Sequence, residues 1–198
     1  MTNVIVVSGL PRSGTSMMMN MLGTGGVPLV TDGKREPDEH NRGGYFELDA
    51  IKSLSTDSDL SYMHDFKGKA IKVICPLLTL LPDDLSYKVI FMRRDIEDIM
   101  ASQAKMAGSV SAETHERLIT AYEFSLMVAR NWCRTQANVE CMEITYESVS
   151  RGDPLKVISR ISGFLDEFGG LDLYAMRDVV HQRFDYDSYD RHEILCST

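Results

Sequence analysis

The chain has 198 residues, of which 43% are hydrophobic and 25% are charged, and this composition predicts a single soluble globular domain over residues 1–198. The formal net charge of −8 argues against a general nucleic-acid-binding protein, although a local basic pocket stays compatible with it. No apolar run reaches membrane-spanning length and no signal-peptide pattern opens the chain, so we expect a cytoplasmic protein.

The N-terminal quarter of the chain begins with a strand and a helix and then becomes irregular. The apolar run at residues 4–7, which Ser8 and Gly9 end, predicts a buried strand, and residues 16–22 predict a helix. Residues 28–46 are polar and rich in glycine, proline and charge. Long loops in compact domains are usually functional or disordered, so this segment is predicted to be an active-site loop. A second helix is predicted over residues 45–54.

The remaining elements alternate between strands and helices. Strands are predicted over residues 70–75, 88–92 and 139–145, and helices over residues 97–106, 112–134 and 154–168. This alternation predicts an α/β fold with a mostly parallel central sheet flanked by helices. No element is predicted for the polar, tyrosine-rich tail at residues 185–198.

Two expectations concern packing. The longest predicted helix has one apolar face, which we expect to meet the core, and its members are Ala121, Phe124, Met127, Val128 and Trp132. The four cysteines show no metal-binding spacing. Cys75 and Cys141 lie in apolar runs and are expected to be buried free thiols.

The turn after the first strand reads GLPRSGTS over residues 9–16. A glycine-rich turn between a strand and a helix aims backbone N–H groups at an anion. In nucleotide hydrolases such a loop carries a lysine, but here Thr15 occupies that position and Arg12 supplies the charge. Its planar guanidinium suits phosphate or sulfonate oxygens. The predicted anion-binding residues of this loop are Pro11, Arg12, Ser13, Gly14, Thr15 and Ser16.

A second group of cations follows the strand at residues 88–92. Many kinases and ATPases place an aspartate for magnesium after such a strand, whereas this chain has Arg93 and Arg94. This difference favours a second phosphate on the ligand over a metal ion. We predict that this phosphate is bound by Arg94 at the strand end and Ser102 two turns into the next helix. Asp98 is expected to be a helix cap or an orienting carboxylate.

Together, GLPRSGTS and the downstream VIFMRRDIEDIMASQ resemble two motifs of the sulfotransferases that use 3'-phosphoadenosine 5'-phosphosulfate (PAPS). The first resembles their 5'-phosphosulfate loop, with Arg12 at the basic position. The second resembles their 3'-phosphate motif, with Arg94, Asp98 and Ser102 at its spacing. KVICPLLTLLP and ITYESVSRGDPLKVISRISGFL match the family more loosely, so the resemblance extends over residues 4–168.

The resemblance implies a three-layer P-loop-type fold and transfer of a sulfonate group from PAPS to a hydroxyl or amine. It implies the bisphosphate PAP as product and no metal. Arg12, the loop N–H groups and Lys72 would stabilise the charge that develops on the departing bisphosphate. We expect a small-molecule, lipid or glycan acceptor, which the sequence does not name, and the oligomeric state is not indicated.

The chain departs from the family at the catalytic base. In cytosolic sulfotransferases a catalytic histidine stands two residues after the lysine that matches Lys72, but here that position is Ile74. In the Golgi branches the base is a glutamate. Glu47, in the turn NRGGYFE after the long loop, is the predicted base, provided that desolvation raises its pKa. Glu36 and His40 are the alternatives.

The nucleotide site departs from the family as well. The C-terminal Arg-Lys-Gly motif of the cytosolic branch is absent, and Tyr45, Phe46 and Tyr146 stay open as the aromatic face for adenine. Two other functions also stay open: a P-loop kinase or nucleotide hydrolase with a degenerate loop, and a catalytically inactive binder of PAP or another nucleotide.

Overall fold

The computed structural model describes residues 3–39, 41 and 43–183, and within them four parallel strands form a sheet in the order β2-β1-β3-β4. These strands are β1 (Val4–Gly9), β2 (Ala70–Ile74), β3 (Tyr87–Arg93) and β4 (Val139–Thr145). The predicted α/β fold with a parallel sheet flanked by helices is therefore confirmed.

Helices cover both faces of this sheet. They are α1 (Thr15–Thr24), α2 (Asp49–Lys52), α3 (Ile96–Ala107), α4 (Ala112–Thr135), α5 (Tyr146–Ser150), α6 (Pro154–Phe164) and α7 (residues 173–183), with 3₁₀ turns at Ser61–Phe66, Cys75–Leu80 and Asp166–Phe168. Alternate residues of β1 enter different cores: Ile5 and Val7 pack with α1 and α6, whereas Val4 and Val6 pack on the α4 side. The central strand is thus buried on both faces.

The strand order changes direction at β1, and this sets the place of a binding cleft. The chain leaves β1 for β2 on one side and later returns to β3 on the other. In the registers, Gly9 lies beside Ile74 of β2 and Met92 of β3, so the carboxyl ends of these strands share one edge. In open α/β sheets, ligands bind outside the carboxyl ends at such a reversal.

The predicted helix over residues 45–54 is wrong in its first half. Only α2 is helical, and Phe46 has a positive φ of 51°. The carbonyl of Glu47 accepts hydrogen bonds from the Asp32 N–H (3.1 Å) and the Thr31 hydroxyl (2.9 Å). These contacts to the preceding loop hold the segment extended against its helix-like apolar spacing. The helix predicted over residues 154–168 also ends early, at Phe164, and a 3₁₀ turn follows.

The expected core face of α4 is also wrong. Phe124 and Met127 are 62% and 59% exposed. The residues that pack against the core are Tyr122, Leu126, Ala129, Trp132 and Cys133. The predicted and the observed core-facing residues of α4 both follow helical spacing, so the spacing alone does not identify the buried face. Trp132 is the one residue that belongs to both sets.

Of the two thiols expected to be buried, Cys75 is buried but Cys141 is exposed. Cys141 lies on β4, the last strand of the described sheet, which pairs with β3 alone among the described strands. Residues 185–198, the predicted tail, lie outside the described residues.

Gly9 is expected to be intolerant of a side chain. Its φ is +150°, and an added Cβ would lie 2.5 Å from both the Met92 carbonyl oxygen and the Ser13 Oγ. Gly9→Ala should lower the free energy of unfolding by about 1–3 kcal/mol, measured by urea denaturation. The matched control is Gly163→Ala in α6, where an added Cβ meets no described atom within 4 Å. It should raise stability by about 0.5–1 kcal/mol. Equal stability of Gly9→Ala and wild type would contradict the argument.

Candidate functional site

A cavity of about 410 Å³ opens at the carboxyl edge of the sheet, within the size range of small-molecule sites. Most of the residues predicted from sequence line it: Pro11, Arg12, Gly14, Thr15, Ser16, Glu47, Lys72, Arg94 and Ser102. Ser13 does not line it, because its Oγ is buried, without a hydrogen-bond partner among the described residues. Glu36 is exposed outside the cavity, and His40 lies outside the described residues.

The loop between β1 and α1 is a tight turn with an unusual backbone. Arg12 and Gly14 have positive φ values of 69° and 99°, and the Ser13 N–H donates to the Leu10 carbonyl at 3.1 Å. An added Cβ on Gly14 would lie 2.8 Å from the Tyr146 ring, so a glycine is needed there on two grounds. The turn brings Arg12 and the first N–H groups of α1 to the cavity, where both attract anions.

The two motif segments meet inside the cavity. The Nε of Arg12 donates to the Ser102 Oγ at 3.0 Å, and one terminal nitrogen of the same guanidinium contacts the Met106 sulfur at 3.7 Å. Arg94 donates to the Arg12 carbonyl at 3.2 Å and lies 4.3 Å from the centroid of the Tyr146 ring. The loop and the second cation group therefore form one connected site.

Asp98 does not cap α3. The cap is Asp95, whose Oδ1 accepts from the N–H groups of Glu97 (2.9 Å) and Asp98 (3.2 Å). This cap anchors the first turn of α3 directly after β3 and so orients the helix that carries Ser102.

Lys72 reaches the start of α1 from the neighbouring strand β2. Its ammonium donates to the Tyr45 carbonyl and lies 3.5 Å from the Ser16 Oγ. Its side chain is 9% exposed. Burial lowers the pKa of Lys72 to about 8; Glu47 opposes the shift, and the charges of Arg35 and Lys52 add to it. A cation with this pKa exchanges its proton near neutral pH more readily than an ordinary lysine.

Glu47 lies among three cations. Its carboxylate is 3.0 Å from Arg35, 2.9 Å from Lys52 and 4.0 Å from Lys72. Burial alone raises the pKa of Glu47, but the hydrogen bond from Lys52 and the charges of Lys72, Lys52 and Arg35 outweigh it and lower the pKa overall. The direction is opposite to the condition set for a general base, so the carboxylate is ionised at neutral pH but a weaker base than expected.

The cavity is strongly cationic although the whole chain is acidic. Its cations among the described residues are Arg12, Arg35, Lys52, Lys72, Arg94 and Arg183. Glu47 is the carboxylate that lines it within the described part of the chain. The cavity also has an apolar group in its lining, made of Leu48, Ile51, Ile74 and Leu77; Ile74 ends β2 and Leu77 lies in the 3₁₀ turn after it. The site is thus suited to a ligand with several negative charges, beside a partner that is partly apolar.

Several lining residues had no sequence signal. Lys52 and Arg183 belong to no motif found in the sequence, and Asn41 lies in the long polar loop. Leu77 could have been predicted to line the site, because it lies in KVICPLLTLLP, the segment that matches the family loosely. Among the aromatic candidates, Tyr45 and Tyr146 line the cavity and Phe46 does not. The guanidinium of Arg35 lies 3.4 Å from the centroid of the Tyr45 ring.

The described residues contain neither a metal-binding cluster nor a membrane-spanning helix. In residues 3–39, 41 and 43–183, no three His, Cys, Asp or Glu side chains are grouped so that they could hold a metal ion. Within the same part of the chain, every helix is too short or too polar to span a membrane.

Sequence comparison finds no matching family model and no matching curated protein. By structure, the fold is similar to that of a retinol dehydratase solved with androsterone and the inactive cofactor PAP. The TM-score is 0.54 and the identity 17%, over 89% of this chain and 63% of that one. A sugar kinase from a Janibacter species matches with a TM-score of 0.47 and 14% identity, over 84% of this chain and 95% of its own. The first similarity shows that the α/β fold is shared, and nothing beyond the fold.

The buried ammonium of Lys72 should leave a mark on stability. The ammonium of Lys72 has a pKa of 10.5 in the unfolded chain and of about 8 in the folded protein. Between these pH values the unfolded chain binds one more proton than the folded protein, so the free energy of unfolding of wild type should rise with pH by up to about 3 kcal/mol. Lys72→Met removes this rise, so the stability of the variant relative to wild type should fall over that window. Urea denaturation from pH 7.5 to 10 measures it. The exposed Lys69 gives the control, Lys69→Met. Parallel pH profiles for wild type and Lys72→Met would contradict the shift.

Proposed function

We propose that the protein is a sulfotransferase that moves a sulfonate group from PAPS to a hydroxyl or amine of a small acceptor. One observation carries the proposal: the loop at Arg12 and the Arg94–Ser102 segment meet in a single cationic cavity, joined by the 3.0 Å hydrogen bond from Arg12 to Ser102. These are the two segments that resemble the family's phosphate-binding motifs. Neither the fold nor the loop alone would support this choice.

The residues present fit a nucleotide with two separated phosphate groups. The Nε of Arg94 is buried and has no hydrogen-bond partner within the described residues, so an acceptor oxygen is missing there. Arg94 and Ser102 would bind the 3'-phosphate. The N–H groups at the start of α1, with Thr15 and Ser16, would bind the 5' end, and Arg12 lies between the two.

PAPS would supply the activated sulfonate, whose bond to the 5'-phosphate breaks as the acceptor oxygen or nitrogen bonds to sulfur. Arg12 and the loop N–H groups would stabilise the negative charge left on the 5'-phosphate. Lys72, in contact with Ser16 at the start of α1, adds its ammonium to the same end. Because its pKa is about 8, Lys72 would also be able to give a proton to that phosphate.

The acceptor would enter from the β2 side, where Glu47 and the apolar group formed by Leu48, Ile51, Ile74 and Leu77 line the cavity. A small acceptor with an apolar body fits these walls. Glu47 would take the acceptor's proton, and the neighbouring Lys52 and Arg35 would keep its carboxylate ionised until then. Its lowered pKa makes proton transfer late, when the new bond to sulfur has made the acceptor's proton acidic.

Removal of Arg94 should cost specificity for the 3'-phosphate. Wild type should bind PAP more tightly than adenosine 5'-phosphate without magnesium. Arg94→Ala should weaken PAP binding about ten- to a hundredfold and leave adenosine 5'-phosphate within about threefold, since a hydrogen bond to a charged group contributes about 1.5–3 kcal/mol. Titration calorimetry measures both ligands.

Arg93→Ala is the matched control for this experiment. Arg93 is the adjacent residue and pairs with Glu143 at 3.2 Å, outside the cavity. Its binding constants should equal those of wild type. Wild type that binds PAP no better than adenosine 5'-phosphate, or that prefers ATP, would overturn the proposed function.

The variant Glu47→Gln tests whether Glu47 acts as the catalytic base or only holds the neighbouring cations in place. It keeps the shape of the side chain and removes its basic oxygen, so transfer of labelled sulfonate from PAPS to a panel of phenols, alcohols and amines should slow by about 10²–10⁴-fold. PAP affinity should stay within about threefold of wild type. Asp49→Asn is the control, since Asp49 also pairs with Lys52 but does not line the cavity. Near-normal turnover by Glu47→Gln would remove Glu47 from the mechanism.

A further inference from the structure

Arg183 enters the cavity from an element outside residues 4–168, the span of the sequence resemblance. Helix α7 is held to α1: the Asp172 N–H donates to the Gly25 carbonyl at 3.0 Å, and Met176 and Val180 are buried. Residues 176, 180 and 183 follow helical spacing along one face, so the buried anchors direct Arg183 inward. Its place in the cavity lining is therefore built by packing.

The guanidinium of Arg183 is incompletely satisfied. Its Nε is buried without a hydrogen-bond partner, and among the described residues it forms no ion pair. The Nε of Arg94 in the same cavity is in the same state. Buried donors that lack acceptors are uncommon and costly, so two of them lining one cavity indicate a missing group rich in acceptor oxygens.

Three guanidiniums line the same cavity, those of Arg12, Arg94 and Arg183. Arg94 donates to the Arg12 carbonyl at 3.2 Å, and Arg12 donates through its Nε to Ser102. Burial lowers the pKa of Arg12; Tyr45 opposes the shift, and the charges of Arg183 and then Arg94 lower it further. Arg183 is therefore near enough to Arg12 for their like charges to interact. A phosphate monoester, with two negative charges and three acceptor oxygens, matches these cations in charge and the two unpartnered Nε donors in hydrogen bonding.

We propose that Arg183 is a specificity-determining ligand of the second phosphate, acting with Arg94 and Ser102 to select nucleotides that carry two separated phosphate groups. This inference rests on the proposed function and adds to it a residue that no sequence motif marks. It assigns α7 a direct part in nucleotide recognition beyond its packing on α1.

The experiment compares Arg183→Ala with Arg177→Ala in the full chain. Arg177 lies on the same helix but pairs with Asp178 at 2.9 Å and does not line the cavity. Calorimetry with PAP and adenosine 5'-phosphate should show Arg183→Ala binding PAP about ten- to a hundredfold more weakly, with adenosine 5'-phosphate within about threefold. Arg177→Ala should match wild type for both. Arg183→Lys, which keeps the charge but loses the fork, should fall between wild type and Arg183→Ala.

Different results identify which idea fails. If wild type prefers PAP and Arg183→Ala keeps that preference, or weakens both nucleotides equally, the role of Arg183 is refuted and the proposed function stands. If wild type shows no preference for PAP, the proposed function fails and this inference fails with it. Thermal unfolding without ligand checks each variant. Should Arg183→Ala not fold, Arg183→Gln, which keeps the length of the stem, replaces it under the same criteria.

Discussion

The arrangement of the site depends on holding several like charges together at one edge of the sheet. Cations brought into a partly buried space lose hydration and repel one another; burial first, and then the charges of Arg35 and Lys52, lower the pKa of Lys72 to about 8 against the opposing effect of Glu47. A rigid frame must therefore hold them. The central strand β1, buried on both faces, and the bond from Arg12 to Ser102 provide that frame. A polyanionic ligand would offset the repulsion, so the same clustering of cations that destabilises the fold favours binding of such a ligand.

Much of the fold could be predicted because its signals are local. Short runs rich in apolar residues predicted the strands, and their alternation with helices predicted a parallel sheet. The errors arose where tertiary contacts decided. The carbonyl of Glu47 bonds to the preceding loop and stays out of a helix, and α4 buries a different face from the expected one. In both cases the sequence pattern fitted two structures, and packing selected one.

The same distinction between local sequence signals and tertiary contacts separates the site residues that could be predicted from those that could not. The meeting of Arg12 with Ser102 was foreseeable, because parallel strands end at a common edge and each segment follows such an end. The position of Arg183 was not foreseeable, because it depends on α7 packing against Gly25, the residue that follows α1, where an added Cβ would meet Met176 at 2.7 Å. The cations around Glu47 also change its basicity in a way that the sequence did not predict. A pairing with Arg35 and Lys52 lowers its pKa, and nothing in the local sequence indicates these partners.

Strand β4, the last strand of the described sheet on its side, bears on how copies of this protein meet. On the opposite side of the sheet, the loop partly covers β2, since the Val30 N–H donates to the Ala70 carbonyl at 2.9 Å. Strand β4 instead pairs with β3 alone among the described strands and carries Glu140 and Glu143. Each of these carboxylates has cation partners in its own chain: Lys88 at 2.7 Å for Glu140, and Arg93 at 3.2 Å and Arg130 at 2.6 Å for Glu143. A second strand that paired here would have to displace or desolvate these charged pairs, so β4 is a poor template for growth of the sheet from one chain to the next.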